Sequence, residues 1–278
     1  MVVQTALERI AMDAASGNMV FPTHAQLVLR VQHALDDPDC SIERLSRLIS
    51  AEPMLSARVV AIANSVAFRR EGRATIDVRS AVARLGFRTV RTLAAAVIVR
   101  QMEDMSQVPA HRALAEQLWE HSAHVAALAR VIAQRVVHKD PDTASFAGIV
   151  HEVGGFYLLS RAASYPGLLE GGLEEWDDEG QAQVGSAVLR VLGVPQEILD
   201  AADTLWAGYL SYPPESIGDV LLLADQLAPV ESPLSRLAGT GHRGEPVDID
   251  LAIDTETLKQ ILAESAEEVA SLIAALNA

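Results

Sequence analysis

An adjacent histidine and glutamate, His151 and Glu152, stand inside the otherwise apolar segment from Phe146 to Gly155. Imidazole and carboxylate groups are ligands for divalent metal ions, and a metal-bound water can be activated for attack on phosphorus. Such a centre needs several ligands to converge, so the number of candidates decides whether it can form. No histidine occurs between Val153 and Gly241. An imidazole-rich dinuclear centre therefore cannot be assembled.

Nucleophilic catalysis has little support in the sequence. Cys40 is the single cysteine, and because it has no partner for an intrachain disulfide, it favours a reducing compartment. The chain contains neither a Gly-x-Ser-x-Gly elbow nor a phosphate-binding Gly-Lys-Ser/Thr loop. We expect no covalent catalysis from this chain.

The densest basic segment runs from Arg69 to Arg100 and includes Arg84, Arg88 and Arg91 at i, i+4, i+7 spacing. Guanidinium groups bind phosphates and carboxylates in bidentate geometry, so these arginines could bind a nucleotide, RNA or an acidic protein. The alternative is a solvated face, or one that pairs with acidic groups of the same chain. The scarcity of aromatic residues for base stacking favours that alternative.

Asn64 and Ser65 end a predicted helix, where an amide and a hydroxyl can bond free carbonyls or an adjoining loop. Structural capping is the simpler interpretation of this pair, and a role in ligand binding is the alternative.

Charge is distributed unevenly along the 278 residues, whose net charge is -15. Residues 1–100 carry 13 Arg, no Lys and 9 acidic residues, which gives +4; the remainder carries 9 basic and 28 acidic residues, which gives -19. The acidic second half argues against broad nucleic-acid binding. No apolar run reaches the roughly 18 residues needed to span a bilayer, and the N-terminus has no signal-peptide pattern. We expect a cytoplasmic protein without a membrane partner.

Apolar residues recur at three- and four-residue spacing along almost the whole chain, and no stretch alternates with period two over the length of a strand. The sequence therefore predicts an all-α fold. Ser41 and Asp77 are predicted N-caps, Pro53 suits the first turn of a helix, and Gly86 is expected to end one.

The second half predicts a long helix from about His111 to Val137, followed by a helix that carries His151. The segment Gly167 to Gly180 is predicted to be an acidic loop with Trp176 exposed, and Asp254 is predicted to cap a single final amphipathic helix. The remaining predicted helices lie at about Gln181 to Leu192, Pro195 to Trp206 and Ile217 to Leu227.

Three stretches together resemble the HDOD family, the HD-related output domain of bacterial signalling proteins. Ile49 to Leu55 with Arg58 is similar to the family pattern iis-D-P-x-L, with Glu52 in place of the usual Asp. Ala63-Asn64-Ser65, followed by Ser80 to Gly86, is similar to its NS and AI..LG elements. Phe146 to Gly154 is similar to its F-x-aGLLHdiG. The resemblance runs from about Phe21 to about Tyr209.

This resemblance implies two helical subdomains, the second related to a degenerate HD-domain phosphohydrolase. We expect the first subdomain at 1–105, the second at 106–230, and a loop with a C-terminal amphipathic helix at 231–278. The resemblance also implies a non-catalytic regulatory role in bacterial signal transduction, with a signalling protein as the partner.

The resemblance supplies further candidate ligands. His121 matches the early His of the HD enzymes, Asp225 matches the late Asp, and His151-Glu152 is an altered dyad, whereas Ser186 and Thr204 stand where enzyme histidines are expected.

A mononuclear site from His121, His151, Glu152 and Asp225 stays open, although Glu152 reaches farther than an aspartate. The alternative is that the two histidines are satisfied near the core, with Glu152 paired to one of them or to an arginine. We expect no enzyme activity and no cofactor. The alternatives are a degenerate metal-dependent phosphohydrolase acting on a nucleotide or cyclic dinucleotide, and a nucleotide- or RNA-binding module using Arg69 to Arg100.

Overall fold

The computed structural model describes residues 2–16, 25–68, 74–103, 108–170, 176, 180–238 and 255–277. Within these ranges the regular elements are helices and no strand occurs, which confirms the all-α prediction. The helices are α1 (Val2–Ala15), α2 (Ala25–Leu35), α3 (Ile42–Ser50), α4 (Pro53–Ala63), α5 (Val78–Glu103), α6 (Pro109–Ile132), α7 (Pro141–Val150), α8 (Val153–Ala162), α9 (Gln181–Val191), α10 (Gln196–Ala207), α11 (Ile217–Leu227), α12 (Pro233–Ala238), α13 (Thr255–Glu264) and α14 (Ala266–Asn277). A π-helical turn, Ala133–Val137, extends α6.

Local signals place most helix boundaries. The Ser41 hydroxyl accepts from Arg44 N at 3.2 Å, and the Asp77 carboxylate accepts from Ser80 N at 2.8 Å, so both predicted N-caps are confirmed. Pro53 occupies the first turn of α4, as predicted. Gly86 has φ 78° and kinks α5, because glycine adopts this backbone conformation without a Cβ penalty.

The prediction of a helix that carries His151 is wrong. His151 is the C-terminal cap of α7, and Glu152 separates α7 from α8. The apolar run continues across this break on both sides, so periodicity gives no signal for it. The two residues therefore lie in a turn between two helices. The directions of their side chains are not set by the geometry of a single continuous helix.

Two further predictions, one on burial and one on the last helix, differ from the structure. Trp176 is fully buried, so the prediction that it is exposed is wrong. The single final helix is instead two helices, α13 and α14, which meet at Ser265. The predicted cap Asp254 lies outside the described residues. Helices α1 and α12 have no counterpart among the predicted elements.

Helix α6 occupies the centre of the packing and contacts α7, α8, α11, α12 and α14. Helix α5 contacts α2, α3 and α4 as well as α6, α7 and α8, while α1 packs on α9. One hydrophobic cluster extends from Ala6 to Leu276 and contains many alanines. None of the described helices combines the length and apolar content needed to cross a bilayer.

Candidate metal centre

The four candidate ligands come together between three segments of the chain. His121 lies in α6, His151 and Glu152 lie in the turn between α7 and α8, and Asp225 lies in the last turn of α11. His121 Nε2 is 3.2 Å from His151 Nε2 and 3.1 Å from Asp225 Oδ1. His151 Nε2 is 3.9 Å from the same oxygen. We refer to these four residues as the His-carboxylate cluster.

Backbone carbonyls fix the tautomers of both histidines. His121 Nδ1 is 2.7 Å from Val230 O, and His151 Nδ1 is 2.7 Å from Gly148 O. A carbonyl oxygen can only accept, so each Nδ1 carries the proton and donates it. In the neutral forms both Nε2 lone pairs then face each other and the Asp225 carboxylate.

Three facing acceptors require a cation or a proton among them. Burial lowers the pKa of His151 to about 4, so this ring is neutral at pH 7. Burial also lowers the pKa of His121, but the Asp225 and Glu152 carboxylates outweigh it and leave that pKa raised. A proton on His121 Nε2, which lies 3.1 Å from Asp225 Oδ1 and 3.2 Å from His151 Nε2, is the alternative to a metal ion in this position.

Glu152 belongs to the cluster despite its extra methylene. A carboxylate oxygen of Glu152 and one nitrogen from each histidine lie within 4.8 Å of one another. Because Glu152 lies between two helices, its side chain can point towards the histidines rather than in the direction that a continuous helix would impose. Gln181 Nε2 donates to Glu152 Oε2 at 2.9 Å and orients the carboxylate. The partner of Glu152 is thus a glutamine that the sequence gives no reason to single out.

The donor set fits a single divalent ion. Two imidazole nitrogens and two carboxylates are suitable ligands, and histidines that bind metal usually donate their other N–H to a carbonyl or carboxylate. The two Nδ1 contacts and the Gln181 contact are of this type. Within the described part of the chain, this is the one group of at least three His, Cys, Asp or Glu side chains with such convergence.

The arginine candidates are engaged with groups of the same chain. Arg84 Nη1 donates to Ala63 O at 2.9 Å, and Arg91 Nη2 contacts Asp36 Oδ1 at 2.7 Å. Arg88 Nη2 lies 2.5 Å from Asp140 Oδ2 and also contacts the Thr143 hydroxyl. The kink at Gly86 separates Arg84 from the other two. Arg69, Arg70 and Arg73, in the same basic segment, lie outside the described residues.

Asn64 and Ser65 make structural hydrogen bonds. The Asn64 amide donates to Val60 O at 3.0 Å and to Thr75 O at 2.7 Å, and its carbonyl accepts from Thr75 N at 2.8 Å. Ser65 Oγ donates to Ile62 O at 2.8 Å. Asn64 therefore ties the end of α4 to the residues that precede α5.

Replacing Asn64 with alanine should lower the free energy of unfolding by about 1–3 kcal/mol, because buried backbone groups of Thr75 lose their partner. Equilibrium urea unfolding measures this change. Ser65→Ala, which removes one local bond, is the comparison and should cost about 1 kcal/mol or less. Equal effects of the two substitutions would contradict the tethering role of Asn64.

Comparisons with known proteins agree with this architecture. The model of the HDOD domain matches residues 21–204. Among solved structures, a protein of Shewanella amazonensis SB2B provisionally described as a metal-dependent phosphohydrolase is 22% identical, with a TM-score of 0.70 over 99% of both chains. An HDOD domain protein of unknown function from Geobacter sulfurreducens is 23% identical, with a TM-score of 0.60 over 99% of this chain and 98% of that one.

A protein of Marinobacter aquaeolei VT8 provisionally described as a signal transduction protein is 20% identical, with a TM-score of 0.58 over 94% of this chain and 60% of that one. At these identities the structural likeness concerns the fold. No curated protein sequence matches the chain. Since the family model covers well over half of the sequence, the chain belongs to the HDOD family.

Proposed function

We propose that this protein is a non-catalytic output module of a signal transduction system and acts through protein contacts. The observation that carries the proposal is the burial of the His-carboxylate cluster. His121 and His151 are each 1% exposed, and Glu152 is 2% exposed. A phosphate ester must reach its metal centre to be hydrolysed, and these three side chains are covered by protein.

The family and the fold support the signalling role. An HDOD domain protein of Geobacter sulfurreducens shares the helical architecture, and the protein of Marinobacter aquaeolei carries a signalling description. The basic segment gives no comparable support to nucleotide or RNA binding, because Arg84, Arg88 and Arg91 contact Ala63, Asp140 and Asp36.

A degenerate metal-dependent phosphohydrolase is the second candidate, and the facing lone pairs of the cluster favour it. His121, His151, Glu152 and Asp225 would hold the ion. A divalent ion in this position would supply Lewis-acid chemistry and lower the pKa of a bound water. The chain's own residues would orient the ligands: Gln181 would hold Glu152, and the carbonyls of Gly148 and Val230 would hold the two rings.

Metal analysis and a hydrolysis assay distinguish the two candidates. The purified protein, with and without added Mn²⁺ or Mg²⁺, is assayed for bound metal and for hydrolysis of a phosphodiester and a cyclic dinucleotide. The proposal predicts metal well below one ion per chain and no hydrolysis above the rate without protein.

The variants make this assay specific. His121→Ala and His151→Ala remove candidate ligands. His124→Ala is the matched control, since His124 lies one turn from His121 and bonds Glu120 O of its own helix. Metal-dependent hydrolysis that disappears in the first two variants and persists in the control would replace the non-catalytic proposal with the phosphohydrolase.

A further inference from the structure

The C-terminal helix α14 covers an apolar groove on the family domain. This helix lies outside residues 21–204 and packs across α4 and α6. Leu272 and Leu276 are buried, and both border a small cavity. The other apolar residues that line this cavity come from α4, α5, α6 and α7 and from the turn after α4: Ile62, Leu93, Ala127, Ile149 and Phe68.

The charged contacts of α14 with the domain are long. Arg130 Nε is 3.7 Å from Glu268 Oε1, and Arg135 Nη2 is 3.9 Å from Glu268 Oε2. Arg135 Nη1 also lies 3.8 Å from Glu264 Oε2, at the end of α13. These separations exceed hydrogen-bond distance, so the contacts are Coulombic. Salt weakens the contacts of the more exposed Arg135 more than that of Arg130, whose side chain is 9% exposed. A shorter contact joins Val66 N to Ser271 Oγ at 3.0 Å. The helix is therefore attached by the buried side chains Leu272, Ala275 and Leu276, by the partly buried Val269 and Ile273, by one hydrogen bond and by charged contacts longer than a hydrogen bond.

The groove has contacts of its own that do not involve α14. The Arg130 guanidinium lies 4.3 Å from the centre of the Phe68 ring, and its Nη1 is 2.5 Å from Asp142 Oδ1. Arg130 thus links α6, α7 and the turn after α4. Because neither of these links is made through α14, we expect the surface to keep its shape for another helix of the same pattern.

We propose that α14 is a clamp acting within the chain, whose release exposes this groove as a protein-contact surface of the module. In the closed state the occupant is α14 itself. In the open state the groove fits a partner helix with the pattern of Glu268, Leu272 and Leu276, an acidic residue followed by leucines at four-residue intervals. The inference rests on the proposed protein-contact function and assigns it a surface and a means of regulation.

Charge reversal on α14 tests the clamp in the full chain. Glu268→Lys places a cation beside Arg130 and Arg135, whereas Glu267→Lys makes the same change at the exposed neighbouring position. Hydrogen–deuterium exchange of the α14 amides and of Val66 is measured for both variants. We expect exchange about tenfold faster in Glu268→Lys than in Glu267→Lys, with unchanged protection in the core helix α6.

A peptide supplies a second readout. A fluorescently labelled peptide of residues 264–277, with the wild-type sequence, should bind the Glu268→Lys chain and not the Glu267→Lys chain, as measured by anisotropy. Equal exchange in the two variants, or equal peptide binding, would overturn the clamp. So would α14 amides that exchange only together with those of α6.

Glu268→Gln resolves the case in which the charge-reversed chain does not fold. It removes the attraction to the arginines without adding repulsion, and it should accelerate exchange in α14 and reduce the effect of added NaCl on that exchange. An unchanged salt response refutes the clamp. None of these experiments measures hydrolysis or the binding of a natural partner. If they contradict the clamp, the proposed protein-contact role still stands, with a different surface.

Discussion

Replacing Asp219 with asparagine is expected to lower the free energy of unfolding by about 2–4 kcal/mol. Asp219 is fully buried near the start of α11. Its Oδ1 accepts from Ser211 N at 2.8 Å, and its Oδ2 accepts from Glu215 N, Ser216 N and the Ser216 hydroxyl at 2.7–3.1 Å. In asparagine one of these oxygens becomes an NH₂ group that faces a donor, so the donors on that side of the buried Asp219 side chain lose their acceptor.

The same carboxylate predicts the pH at which this stabilisation is lost. Burial raises the pKa of Asp219, but the hydrogen bonds from Ser211, Ser216 and Glu215 outweigh it and hold the pKa below the ordinary 3.8. A group whose pKa is lower in the folded state stabilises above its unfolded pKa, and it loses that contribution as the pH falls through the folded value. The difference between wild type and Asp219→Asn should therefore be constant at pH values well above 3.8 and shrink as the pH falls through that value and below it.

Urea unfolding between pH 3 and pH 7 measures both effects, with Asp203→Asn as the control for removal of one carboxylate from an exposed position. A control variant as unstable as Asp219→Asn would point to net charge as the cause. If the difference in unfolding free energy between wild type and Asp219→Asn grows as the pH falls, the pKa of Asp219 is not lowered by folding.

Capping and turn residues made much of the fold predictable. Ser41, Asp77, Pro53 and Gly86 act locally, through their own hydroxyl, carboxylate, ring or missing Cβ, so their effects can be read without knowledge of the tertiary structure. Helix α11 has the predicted limits, and the limits of the two preceding helices, α9 and α10, lie within one residue of those predicted. Periodicity fails where apolar residues continue through a turn, as they do at His151.

The candidate ligands were found through motifs, and their surroundings were not. The motif positions His121, His151 and Asp225 do converge. Gln181 and the carbonyls of Gly148 and Val230 belong to no motif, because any residue has a carbonyl and a glutamine has no distinctive spacing. Their part in the cluster follows from how the helices pack. The contact of Glu152 with Gln181 likewise shows why an Asp-to-Glu change did not remove the carboxylate from the cluster.

Adding one methyl group at Gly148 is expected to disturb this packing more than any surface change. A Cβ at Gly148 would lie 2.5 Å from Ala126 Cα and 2.7 Å from Ala126 N. These are backbone atoms of α6 and cannot rotate away, so α6 and α7 must separate. We expect Gly148→Ala to lower the free energy of unfolding by about 2–4 kcal/mol, although alanine favours a helix over glycine by about 1 kcal/mol.

Gly155→Ala is the matched control for this substitution. Its new methyl group would also lie close to its neighbours, at 2.6 Å from the tip of the Leu234 side chain, 3.1 Å from that of Leu118 and 3.2 Å from Glu152 Oε2. These are side-chain atoms, which can move, whereas the neighbours of Gly148 are backbone atoms. We expect a loss of unfolding free energy below about 1.5 kcal/mol, measured by urea unfolding of both variants.

Since Gly148 O also accepts from His151 Nδ1, separation of α6 from α7 should move His151 away from His121. Histidine side-chain NMR signals at pH 7 should therefore shift in Gly148→Ala. A Gly148→Ala protein as stable as Gly155→Ala, with unshifted signals, would show that α6 and α7 accommodate the methyl group and that this close approach does not position the cluster.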